Sequence, residues 1–104
     1  MGINVSHGSD LYGQERRSAA TIHNLGKHLC NVLSSGEWTA IRHLFDGSVR
    51  TPLSVVPDEA RVIAAILRRG AAEWRIPRDW EKEASLFADA ADRAADANEP
   101  WTWS

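Results

Sequence analysis

Four prolines, Pro52, Pro57, Pro77 and Pro100, do most to limit what this chain can become. Proline has no N–H and clashes with the preceding helical turn, so each one opens, breaks or ends a regular element. Pro52 favours an extended segment through Thr51 and Leu53 to Val55. Pro57 sits where the first turn of a helix tolerates it, followed by Asp58 and Glu59 at the positive end of the helix dipole. Pro77 breaks the chain after Arg75 and Ile76, and Pro100 stops the last helix before Trp101-Thr102-Trp103-Ser104.

Between these breaks the apolar residues recur at helical spacing. Ile22, Leu25, Leu29 and Val32 define one face of a helix from about Ser18 to Leu33. Gly26 inside it costs about 1 kcal/mol relative to alanine, which predicts close packing or a weak point there. Ser34 and Glu37 form an S-x-x-E capping box that opens a second helix lined by Trp38, Ile41 and Leu44 or Phe45. Gly47 gives that helix its left-handed cap. Ala60, Ile63, Ala64, Leu67, Ala71 and Trp74 form a stripe on a third helix, with Val62 and Ile66 beside it. That wide apolar arc predicts the most buried helix. Asp79 is the expected N-cap of a fourth, running to about Ala97 with Trp80, Ala84, Phe87, Ala91 and Ala94 inward. At the N-terminus Ile3 and Val5 alternate with Asn4 and Ser6, the period of a strand. Turn-forming Gly8, Ser9, Asp10 and Gly13 follow, so the segment from His7 to Arg17 reads as a loop. The fold class is α+β and mostly helical: about four helices in one domain over residues 1–104, with a minor two-stranded sheet joining Ile3 to Ser6 with Leu53–Val55.

The charge balance excludes some classes. Net charge is −2, which argues against a dedicated nucleic-acid binder. There is no apolar run long enough for a membrane span and no signal-peptide pattern, so the expected location is the cytoplasm. Met1-Gly2 and Ser6 match the loose myristoylation pattern by chance. One cysteine, Cys30, fits a reducing compartment and reads as a buried, inert thiol near the inner face of the first helix.

Catalytic signals are absent. His23 and His28 lack the i, i+4 spacing of a helical metal pair, and no C-x-x-C motif exists, so no metal and no cofactor are expected. Ser6, His7, Gly8, Ser9 and Asp10 hold the residue types of acyl transfer, but as sequence neighbours they read first as a strand end and turn. His7, Asp10 and Tyr12 are kept as binding candidates. Asp89, Asp92, Asp96 and Glu99 recur at spacings 3, 4 and 3 in a segment, residues 78–104, with seven acids and three bases. They form an acidic stripe, either a solvated face or a dock for a basic partner. Trp101 and Trp103 alternate, so in an extended tail both face one way. They either fold back onto a groove beside the N-terminal strand or meet a partner, and folding back is the expectation.

The segments Ile3-Asn4-Val5-Ser6-His7-Gly8-Ser9-Asp10 and Asn98-Glu99-Pro100-Trp101-Thr102-Trp103 resemble a group of small actinobacterial proteins, common in Streptomyces, that carry a domain of unknown function. Glu37-Trp38 and Val56-Pro57-Asp58-Glu59-Ala60 fit the same layout. The resemblance implies a bacterial or phage source and supplies no catalytic residues. The function expected from the residues is a non-enzymatic interaction module that binds a protein, or a second copy of itself as a homodimer. An enzyme or small-ligand binder using the loop from His7 to Asp10, with His23 or His28 brought near, is the rival. A nucleic-acid role through Arg16-Arg17 and Arg68-Arg69 is a third reading.

Overall fold

The computed structural model describes residues 2–7 and 15–104. Among these, the elements run β1 (Gly2–His7), β2 (Glu15–Ser18), α1 (Ala19–Val32), α2 (Ser35–Phe45), β3 (Leu53–Val55), α3 (Pro57–Ala72), α4 (Arg78–Asp96) and β4 (Trp101–Trp103). The fold is α+β and mostly helical. Asp10 and Tyr12, with the turn residues around them, lie outside the described residues.

The sheet corrects the two-stranded expectation. It has four antiparallel strands in the order β2-β1-β4-β3. The N-terminal strand and Leu53–Val55 are not neighbours, because the C-terminal strand lies between them. Val5 faces Trp103 and His7 faces Trp101 on one side. Leu53 faces Trp103 and Val55 faces Trp101 on the other. The backbone groups of Asn4 and Ser104 exchange a further pair of hydrogen bonds at 2.8 Å. Two bulky apolar side chains alternating across Thr102 suit a central strand better than an edge, because β4 is then paired along both sides. Glu15 to Arg17, expected in a loop, and Ser18, expected to open the first helix, form the other edge strand, with Arg17 opposite Ile3 and Glu15 opposite Val5.

Period-two burial sets the two faces of the sheet. Ile3, Val5, His7, Val55, Trp101 and Trp103 point to the helices. Asn4, Ser6, Ser54 and Thr102 form the opposite, polar face. The inward positions of edge strand β2 carry charge, and Arg17 donates to Glu83 of α4 at 2.8 Å. An inward charge on an edge strand resists pairing with a stray chain.

The helices follow the sequence spacing with local departures. Ser18 caps α1 by accepting from the Thr21 N–H at 3.1 Å. The α2 capping box is complete: Ser34 accepts from the Glu37 N–H, and Glu37 accepts from the Ser34 N–H at 3.0 Å. Gly47 takes φ 87°, the left-handed value expected of it. α3 buries Ala60, Ile63, Ala64, Leu67, Gly70 and Ala71. Its second stripe follows only in part: Ile66 packs half-buried against the core, but Val62 is 55% exposed. Trp74 does not extend the first stripe either. The helix ends at Ala72, Glu73 turns extended, and the indole leaves the core at 88% exposure. Asp79 is not the cap of α4, which starts one residue earlier at Arg78 with Pro77 as N-cap. Cys30, expected to be buried, is exposed. It follows Leu29 by one residue, about 100° around the helix, and so points away from the stripe it adjoins.

The core joins both layers. Trp103 stacks on Phe87 of α4 at 5.7 Å between ring centroids and meets Phe45 of α2 edge-on at 5.5 Å. Trp101 meets Trp103 edge-on at 5.3 Å. These are the offset and edge-to-face geometries that aromatic quadrupoles favour.

The capping box supports two predictions. Ser34→Ala is expected to cost about 1 kcal/mol, the ordinary value of a helix N-cap, read as a shift in the denaturation midpoint. Glu37 is held at a pKa of about 2, first by its hydrogen bond from Arg69 of α3 and then by the Ser34 N–H. A carboxylate depressed in the folded state stabilises above its unfolded pKa, and that contribution fades as pH falls through the folded value. Stability of the native protein is therefore expected to fall more steeply between pH 4.5 and 2 than that of Glu37→Gln. Parallel slopes in acid titrations followed by circular dichroism would contradict this.

Candidate functional site

His7 closes the inner face of β1, buried, with Nδ1 3.5 Å from Glu99 Oε1. The other histidines lie elsewhere: His28 stacks on Trp80 of α4 at 5.0 Å, and His23 faces the α1–α2 groove. Trp101 and Trp103, two binding candidates from the sequence, are both 0% exposed and fill the core.

The acidic stripe is matched from the neighbouring helix. Arg68 of α3 donates to Asp89 at 2.8 Å and to Asp92 at 2.7 Å. Arg61, two turns earlier, donates to Asp96 at 2.7 Å. Hydrogen bonds to Asp92 and Asp89 raise the Arg68 pKa, and that to Asp96 raises the Arg61 pKa. The stripe thus zips α4 to α3. The Arg68 pairs are largely solvated, and exposed pairs contribute at most about 1 kcal/mol. Arg68→Met is accordingly expected to lower the melting temperature slightly in low salt, with the difference vanishing near ~1 M salt as screening shortens to about 3 Å. A thermal melt at both salt levels checks it.

Besides a cavity of about 440 Å³ lined by Thr21 of α1 and by Asp79, Trp80, Lys82, Glu83 and Leu86 of α4, two features stand out on the surface. The first is a groove between α1 and α2, built on a close helix crossing. A Cβ added to Gly26 would lie 1.9 Å from the Phe45 carbonyl oxygen, so only glycine lets the backbones approach this far. Above that crossing is a cavity of about 280 Å³. Gly26 and Phe45, both buried, lie beneath it, and the half-buried Trp38 lines it with an apolar ring. His23, Lys27, Cys30 and Asn31 line the α1 side, and Asp46 stands at the α2 end. Asp46 is kept ionised below the usual carboxylate range by hydrogen bonds from Ser48 and then by Arg42. Sequence reasoning missed this set by weighing His23 and Cys30 one at a time. The signal was present in the i, i+4, i+7 spacing of His23, Lys27 and Cys30 along one face.

The second feature is Trp74. It stands on the short turn between α3 and α4, flanked by Glu73 and Arg75, whose side chains approach to 3.5 Å. Among the described residues no group of three or more His, Cys, Asp or Glu is placed to hold a metal ion. No described helix is long and apolar enough to cross a membrane.

Among the described residues, a four-stranded sheet backed by four helices, with two surface cavities and one projecting indole, defines a compact α+β module. The chain belongs to the domain family of unknown function DUF7739, whose profile matches residues 8–104. Neither curated proteins nor solved structures gave a match.

Proposed function

We propose that this chain is a non-enzymatic interaction module whose recognition element is the α3–α4 turn bearing Trp74. The observation that carries this reading is the 88% exposure of that indole. Tryptophan is the residue most enriched among binding hot spots, because it removes much apolar surface from water with few rotamers to freeze. Val56, Val62 and Leu86 are the other large exposed apolar residues among those described, and all three are less exposed than Trp74. Trp74 differs in projecting from a turn set between two packed helices, so little ordering is needed on binding. The partner is a protein. The compartment is the bacterial cytoplasm, a reading supported by the exposed thiol of Cys30, which suits reducing conditions. An actinobacterial source rests on the motifs at the two chain ends.

The test is site-specific photo-crosslinking in the host. A photoreactive phenylalanine analogue at position 74 is expected to capture a discrete protein band. The same probe at exposed Ser54, on the polar face of the sheet, is expected not to capture it. Identical, diffuse products from both sites would overturn the reading.

A further inference from the structure

We infer that the α1–α2 groove is the receptor for Trp74 of a second copy of this chain. The inference rests on the interaction-module reading and names its partner. Three observations converge on it. The groove is sized for a ring: its cavity of about 280 Å³ lies just below the range of about 300–1,000 Å³ for drug-sized ligands, which suits a single bicyclic side chain. The half-buried ring of Trp38 offers an aromatic face to an entering indole, above the buried Gly26 and Phe45. The charges at its rim complement those beside the indole. Lys27 stands on the α1 side and ionised Asp46 at the α2 end, while Trp74 is bracketed by Glu73 and Arg75. Seating the indole exchanges the Glu73–Arg75 contact within one copy for Glu73 with Lys27 and Arg75 with Asp46 across two.

Knob and groove are different surfaces of one chain, since no residue of the turn lines the groove. The contact can close as a two-fold pair, in which each copy's knob fills the other's groove, or continue head to tail from copy to copy. One indole offers only about 150–250 Å². Such an interface falls among the weak contacts that bury less than about 1,200 Å², with dissociation constants expected between about 1 µM and 1 mM.

Sedimentation velocity on the purified chain tests this. The wild-type weight-average sedimentation coefficient is expected to rise as concentration goes from ~10 µM to ~1 mM, the affinity range set by the small contact. Trp74→Ala lacks the knob but keeps the groove. Wild type alkylated at Cys30 with N-ethylmaleimide keeps the knob but has an obstructed groove. Each is expected to remain monomeric alone, and the two mixed are expected to form a one-to-one complex. Cys30→Phe serves as a second, genetically blocked groove. Failure of the two species to combine would overturn the inference, as would variants that associate like wild type. A wild type that stays monomeric near ~1 mM would also overturn it, yet crosslinking at position 74 to a different protein would leave the module reading standing.

Discussion

Gly26→Ala is expected to lower the melting temperature by about 10–25 °C, although alanine is the better helix former. Helix propensity alone would favour the substitution by about 1 kcal/mol. The new methyl group would have to occupy a point 1.9 Å from the Phe45 carbonyl oxygen and 2.9 Å from the Phe45 Cβ. Backbone cannot rotate away as a side-chain end can, so α1 and α2 must separate. Phe45 is fully buried against Phe87 and Trp103, and the displacement reaches the centre of the core. Overpacking usually costs about 1–3 kcal/mol and more when backbone must move. Each kcal/mol shifts the midpoint of a domain near this size by about 4–8 °C. A thermal melt reads the result directly, and a variant melting within a few degrees of wild type would show that the two helices do not cross at Gly26.

The C-terminal strand carries the second large effect. Trp103→Ala is expected to cost about 3–5 kcal/mol, the range for emptying a buried aromatic site. Trp103→Phe is expected to cost under half of that. It keeps a ring against Phe87 and Phe45, and it removes a buried indole N–H that finds no hydrogen-bond acceptor among the described residues. A buried donor left unpaired costs about 1–3 kcal/mol, so its loss offsets part of the lost volume. Deleting residues 101–104 is more severe, because it withdraws a strand paired on both sides. β3 then has no partner and β1 keeps only β2. The truncated chain is expected to show no cooperative unfolding transition in urea. A cooperative transition of native steepness would mean that the sheet does not depend on its last strand.

The helices were legible in the sequence because each requirement is local. Ile22, Leu25 and Leu29 need only one another to define a face, and Ser34 needs only Glu37 to start a helix. The fold-back of Trp101 and Trp103 was legible for a different reason: Pro100 forces the turn, and two alternating indoles need cover. The strand order was not legible. β4 has three residues, and its partners lie almost a chain length away at β1 and about half of it at β3. β2 was hidden more completely, since Glu15, Arg16, Arg17 and Ser18 show no apolar alternation. Its inward Arg17 is accommodated by Glu83, a partner 66 positions distant. Trp74 shows the limit of spacing arguments. It follows Ala71 by three residues and would join the stripe if the helix continued, but α3 stops at Ala72 and the same spacing then delivers the indole to solvent. The groove was half legible: Gly26 was flagged as a point of close approach, but its partner Phe45 was not.

The division of labour among the tryptophans is the central claim, with Trp103 holding the fold and Trp74 serving recognition. Melting temperature and sedimentation velocity measured together on Trp74→Ala and Trp103→Ala test it most directly. Trp74→Ala is expected to melt as wild type does, since exposed substitutions usually stay within about 0.5 kcal/mol, and to lose all concentration-dependent association. Trp103→Ala is expected to lose the fold first. A Trp74→Ala protein that melts well below wild type, or that still associates as wild type does, would contradict the assignment.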